Sequence, residues 1–172
     1  MALISEEWRE QNAQLHSKRD SFGSAAGRKY AQTVRELLEK HGGVTVLDYG
    51  CGKASLSEHL GKAMKVRNYD PAIPAYAADP EPADVVVCAD VLEHVEPECL
   101  DDVLAHLQRL TLKVALIVVA CRLANKCVPD GRNAHISVYK PEWWQETLER
   151  WFRLEVLKSN DPQEFICLAF RK

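Results

Sequence analysis

Two uninterrupted apolar runs, Val85–Cys88 and Val114–Cys121, constrain the fold of this 172-residue chain more than any other feature. Neither alternates polar with apolar, so each reads as a strand buried on both faces, as in a parallel sheet covered by helices. Segments with apolar residues at helical spacing lie between the strand-like ones. Tyr30, Val34, Leu37 and Leu38 precede a Gly42-Gly43 stop, and Leu56 and Leu60 precede Gly61. Leu100, Val103, Leu104, Leu107 and Leu110 follow Pro97, and Trp144, Leu148 and Trp151 follow Pro141. Further strands are predicted over Val44–Asp48, about Met64–Tyr69, Arg153–Lys158 and Glu164–Phe170. Alternation first and a hairpin last predict an α/β three-layer sandwich, its sheet mostly parallel with a C-terminal antiparallel hairpin.

The length suits one domain, residues 1–172, able to bury a full core. Lys plus Arg number 22 against 25 Asp plus Glu, so no charge excess advertises nucleic acid or an anionic membrane. The longest apolar run is too short to span a bilayer, and Glu6, Glu7, Arg9 and Glu10 stand where a signal peptide would be apolar. A cytoplasmic chain is expected, its six scattered cysteines reduced and without zinc spacing. Residues 1–28 read as an N-terminal lid or a packing helix. Ser5 is placed to cap it, a break follows at Ser21–Ser24, and Trp8, His16, Phe22 and Arg28 are the residues such a lid would carry. The sequence leaves lid and packing helix both open.

The stretch Asp48-Tyr49-Gly50-Cys51-Gly52-Lys53-Ala54 turns from a strand into a helix. Glycines there let a ligand approach the backbone, and the helix N-terminus offers N–H groups to an anion. Asp70 ends the next strand, where an acid accepts bonds from ribose hydroxyls. The dinucleotide fingerprint fails because Ser55 takes its last small position, and the Gly-Lys-Ser/Thr ending of a P-loop is missing.

The stretch resembles motif I of the class I S-adenosylmethionine (SAM) methyltransferases, through Asp48, Gly50, Cys51 and Gly52, with Ala54 in place of the family's last glycine. The resemblance continues through Asp70, through Ala83–Val95, and into the last helix and hairpin. It implies a Rossmann-like fold and SAM as cofactor, with S-adenosylhomocysteine as product. On that likeness Gly50 and Gly52 border the amino-acid end of SAM, Asp48 lies near its ammonium, and Asp70 holds the ribose. Tyr49, Cys51, Pro71, Asp90 and Val91 complete the expected cofactor wall. One departure stands out: 13 residues separate Asp70 from Asp84, where the family has a helix and a third strand. Asp79 is the candidate stand-in for the family's adenine-contacting acid, and the short connection also leaves room for a sheet one strand short of the family's seven.

Methyl transfer from a sulfonium is an in-line displacement, in which positioning and exclusion of water supply much of the rate. A hydroxyl nucleophile also needs a base or a metal. Asp90-Val91-Leu92-Glu93-His94 ends one strand, and Asp130-Gly131-Arg132-Asn133-Ala134-His135 lies in the long loop 122–140. His94, His135 and Asp130 are the catalytic candidates. Arg132 and Asn133 are the substrate-binding candidates, Arg132 as a grip for phosphate or carboxylate. The run is similar to the metal-binding set of small-RNA 2′-O-methyltransferases and to the E-x-x-E-H of ubiquinone-pathway O-methyltransferases, which implies Asp90, Glu93, His94 and His135 as ligands of a divalent ion. His16, His41, His59 and His106 read as ordinary surface or helix positions.

A SAM-dependent methyltransferase of a small-molecule oxygen or nitrogen nucleophile is the reading that absorbs most of these features, with anionic and sugar-bearing acceptors in view. A metal-assisted enzyme acting on a nucleotide or RNA end, a non-catalytic SAM-fold partner subunit and a nicotinamide oxidoreductase are the rivals. Oligomeric state is left open.

Overall fold

The computed structural model describes residues 2–18 and 26–172; the expected break at Ser21–Ser24 and the lid residue Phe22 lie outside them. Ser5 caps α1 (Glu6–Lys18) by accepting the Trp8 N–H on its Oγ at 3.1 Å. Helix α2 (Ala26–His41) closes on Gly42, whose φ of +61° lets Gly43 donate back to the Leu38 carbonyl at 2.7 Å. Then follow β1 (Thr45–Tyr49), α3 (Ser55–Leu60), β2 (Lys65–Tyr69), β3 (Ala83–Ala89), α4 (Leu100–Leu110), β4 (Thr111–Ala120), α5 (Pro141–Glu149), β5 (Phe152–Val156) and β6 (Glu164–Arg171).

The strands form one six-stranded sheet in the order β2-β1-β3-β4-β6-β5. The first four are parallel, and β6 and β5 pair antiparallel to close it. The unbroken apolar runs are central strands, and their residues alternate between two cores. Val85 and Val87 of β3, with Val114, Leu116 and Val118 of β4, pack under α2 and α3. Val86, Cys88, Ala115, Ile117 and Val119 face the opposite layer, with Leu104 and Leu107 of α4 and Trp144 and Leu148 of α5. That two-sided burial is why neither run shows an amphipathic alternation.

The sheet is one strand short: β2 is an edge, and the connection to β3 holds a single short 3-10 turn, Pro74–Tyr76. Trp151, expected on the inner face of the last helix, instead follows the end of α5 and is half-buried. Helix α1 belongs to neither core. Its Trp8 and Leu15 pack on Val128 and Ala134 of the 122–140 loop.

Candidate active site

The C-terminal ends of β1, β2 and β3 surround a cavity of about 200 Å³. Its floor is Tyr49, Gly50, Cys51 and Gly52, one wall is Asp70, Pro71 and Ala72, and the other is Ala89, Asp90, Val91, His94 and Val95. Val103 of α4 closes the apolar end, and Leu3, Ile4, Trp8, Asn12 and His16 roof it. So the N-terminal segment lies over the cavity. Trp8 fixes it there by donating its indole N–H to the His94 carbonyl at 2.7 Å.

The turn is built by close approach. Gly50 has φ of +75°, and a Cβ on it would sit 2.4 Å from Val91 Cγ2. Its N–H groups are used internally: Gly50 and Cys51 donate to the Tyr69 carbonyl at 2.7 and 3.0 Å, and Gly52 donates to Asp70 Oδ2 at 3.1 Å. These three N–H groups of the turn are therefore not presented to an anion. Ala54 does not line the cavity; it holds φ of +56° before α3, a conformation costing an alanine roughly 1 kcal/mol that glycine would avoid.

Asp70 is wired on both sides, since its Oδ1 accepts the Ala72 N–H at 3.0 Å. Asp48 sits buried behind the glycine floor rather than in it. Burial, and then the charge of Asp70, pushes its carboxyl up to about 7. Burial likewise drives the Cys51 thiol far up, so it stays protonated. A carboxyl that binds its proton more tightly folded than unfolded stabilises the fold below pH 3.8 and loses that contribution as pH rises to about 7. Asp48→Asn is therefore expected to gain stability at pH 8 relative to pH 5, on the order of 2–4 kcal/mol. Melting curves at both pH values check this; an equal effect at the two would refute it.

Glu93, His94 and His135 bring their ligand atoms within 4.8 Å of one another, with Asp90 outside the group. Glu93 is fully buried; its Oε1 accepts the Ala120 N–H at 3.1 Å, and its carbonyl accepts Ile136 and Ser137. Burial, then Asp90, raises its carboxyl to about 8. His94 Nδ1 lies 2.7 Å from the Ala134 carbonyl and His135 Nδ1 lies 2.6 Å from the Arg122 carbonyl. A carbonyl only accepts, so both Nδ1 atoms carry the proton and both Nε2 atoms carry a lone pair. The rings meet edge-on, centroids 4.7 Å apart, and His135 Nε2 is 4.0 Å from Glu93 Oε1. Burial first, then His135, lowers His94 to about 3, so it stays neutral.

His135 does not line the cavity either and meets it only through the His94 ring, and three further candidates are not brought to it. Asp130 and Arg132 pair with each other at 2.6 Å, and Arg132 also reaches Glu7 of α1 at 2.6 Å while lying over the Trp8 ring. Asn133 spends its side chain on Ala124 and the His135 N–H, shaping the loop. Asp79, the stand-in for an adenine contact, also lies outside the lining. Two histidines read as ordinary are not. His16 lines the cavity 3.9 Å from Asp70, and His106 is buried at 1% exposure. Neither a lone histidine on a polar helix nor one among leucines carries a spacing that signals this.

The family model described as a methyltransferase domain matches residues 22–160. This chain belongs to the class I S-adenosylmethionine-dependent methyltransferases. The methyltransferase shares its fold with a Burkholderia thailandensis 1,6-didemethyltoxoflavin-N1-methyltransferase solved with that compound and S-adenosylhomocysteine. The two are 16% identical, with TM-score 0.66 over 99% of this chain and 92% of that one. An Aquifex aeolicus SAM-dependent methyltransferase is 20% identical, with TM-score 0.62 over 93% and 98% of the two chains. A Bradyrhizobium japonicum N-methyltransferase in complex with S-adenosylhomocysteine is 13% identical, with TM-score 0.62 over 95% and 97%. No curated protein matches the methyltransferase in sequence. No helix among the described residues is long and apolar enough to cross a membrane.

Proposed function

We propose that this methyltransferase seats SAM in the roofed cavity and passes its methyl group to an oxygen or nitrogen of a small molecule presented beside His94. One observation carries the reading. The described lining holds Asp70 and Asp90 with Asp48 behind, and no Lys or Arg, while the turn's N–H groups are already bonded. Such a surface suits a sulfonium and an ammonium with ribose hydroxyls, and it repels a phosphate. The apolar end at Pro71, Ala72, Val95 and Val103 suits a base. That the Burkholderia enzyme holds a small acceptor beside S-adenosylhomocysteine supports the same choice here.

When bound, SAM would supply a methyl carbon on a sulfonium: the acceptor's lone pair would bond to that carbon as the carbon–sulfur bond breaks, its electrons returning to sulfur to leave neutral S-adenosylhomocysteine. His94, held neutral, accepts a hydrogen bond from the acceptor's O–H or N–H and aims its lone pair. His135 edges that ring and holds its plane, and the acceptor's proton is released to water after the methyl has moved. Calorimetric titration with S-adenosylhomocysteine tests the reading: micromolar binding is expected, and none by folded protein would overturn it. His135→Ala should cut turnover about 10²-fold across an acceptor screen with cofactor affinity within about threefold. An equal loss of both would assign His135 to structure.

A second reading is favoured by the three convergent acceptors. His94 Nε2, His135 Nε2 and Glu93 fit a divalent ion, each imidazole already oriented through its Nδ1, and such an ion would polarise a hydroxyl acceptor. Mn²⁺ should then raise the melting temperature of the wild type and not of His135→Ala. No shift in either, with activity indifferent to EDTA, would dispose of the metal.

A further inference from the structure

The segment 70–82 carries the Asp70, Pro71 and Ala72 wall, yet it has no strand or helix to brace it beyond the 3-10 turn at 74–76. The Asp70 N–H closes on the Tyr76 carbonyl at 3.0 Å and Arg67 Nη1 donates to the Pro82 carbonyl at 3.0 Å; between them, a chain of side chains ties the segment to the floor and to α4. Tyr49, on β1 in the cavity floor, reaches His106 Nδ1 at 3.0 Å, and His106 Nε2 reaches Asp79 Oδ1 at 3.0 Å. Arg109 Nη2 holds the same carboxylate at 3.2 and 3.3 Å. The direction of the bonds is determined. The Asp79 carboxylate accepts, so Nε2 carries the proton, and Tyr49 donates its hydroxyl to the bare Nδ1. The Tyr69 ring, next to Asp70, packs against both Tyr49 and His106, with centroids 5.0 and 5.7 Å away.

We infer that His106 is a positioning residue of the cofactor site: the Tyr49–His106–Asp79 relay takes the place of the missing strand and sets the wall that faces ribose and base. The inference rests on the cofactor reading above. His106 is buried among leucines of α4, where a hydrophobic residue would pack as well, so its polar atoms call for a separate explanation. Both nitrogens are used, one toward the floor and one toward the wall, so the two sides of the cavity are coupled through it. Asp79 is 70% exposed at its side chain, and nothing in its packing would otherwise retain it.

Asp79 gives a test that leaves the core intact. Asp79→Ala strips the acceptor from His106 and should weaken S-adenosylhomocysteine binding about tenfold, the upper worth of one part-buried hydrogen bond, with the melting temperature within a few degrees of wild type. Asp79→Asn keeps a carbonyl oxygen for the His106 N–H, losing the exposed pair with Arg109, and should restore affinity to within about twofold. Wild-type affinity in Asp79→Ala, or an Asn variant as weak as the Ala variant, would overturn the relay while leaving the cofactor reading standing. A wild type that fails to bind overturns both.

Discussion

Gly27→Ala is expected to melt about 10 °C below the wild type and to lose cofactor binding with it. Gly27 lies in the first turn of α2, where its Cα meets the start of α3. A Cβ there would stand 2.2 Å from the Ser55 carbonyl oxygen, 2.3 Å from its carbon and 2.7 Å from the Leu56 nitrogen. All three are backbone atoms, so no side-chain rotation makes room. The helices must part, and the Gly27 N–H loses its bond to Ser55 Oγ at 3.0 Å. Overpacking of this kind costs about 3 kcal/mol, which for a chain of this size is roughly 10 °C. The glycine floor runs directly into α3, so displacing Ser55 displaces the floor as well. A variant melting within 2 °C of the wild type would show the contact to be yielding.

Asp70→Ala should weaken S-adenosylhomocysteine binding at least about 100-fold. On the proposed seating of the cofactor, two charge-assisted bonds from ribose hydroxyls to Asp70 would carry about 1.5–3 kcal/mol each. The same substitution also frees the Gly52 and Ala72 N–H groups, which Asp70 now holds at 3.1 and 3.0 Å, so floor and wall loosen together. Asp70→Asn, which keeps an acceptor, should fall between. Calorimetry separates the three proteins, and affinity in Asp70→Ala within about threefold of the wild type would remove Asp70 from the site.

Much of this was legible in the chain. Val85–Cys88 and Val114–Cys121 announced central strands because two-sided burial leaves no polar alternation, and glycine and proline marked where α2 stops and where α5 starts. The cavity floor was legible because close backbone approach demands glycine at 50 and an acid at the end of β2. What escaped depends on tertiary contact. His16 reaches the cavity because α1 folds back over the sheet, and His106 is polar in a core for the sake of partners 57 and 27 residues away. The cluster of Asp130, Arg132 and Asn133 looked chemical, yet its charges serve the contact between loop and α1. Local density of polar residues does not distinguish a latch from a site. Gly27 left a faint trace, a glycine at the head of a helix, whose meaning needed the neighbouring Ser55.

The shortened sheet has a social consequence. Among the described residues, strand β2 presents one edge without a neighbour, the place where a second molecule of the same chain could add itself. Its residues read Lys65-Val66-Arg67-Asn68-Tyr69. A two-fold, antiparallel pairing centred on the middle of that strand would set Arg67 against Arg67, guanidinium facing guanidinium, with Lys65 close by on the same side. Like charges placed opposite one another destabilise such a ladder. The β2 edge thus carries its own deterrent to pairing with itself in that register.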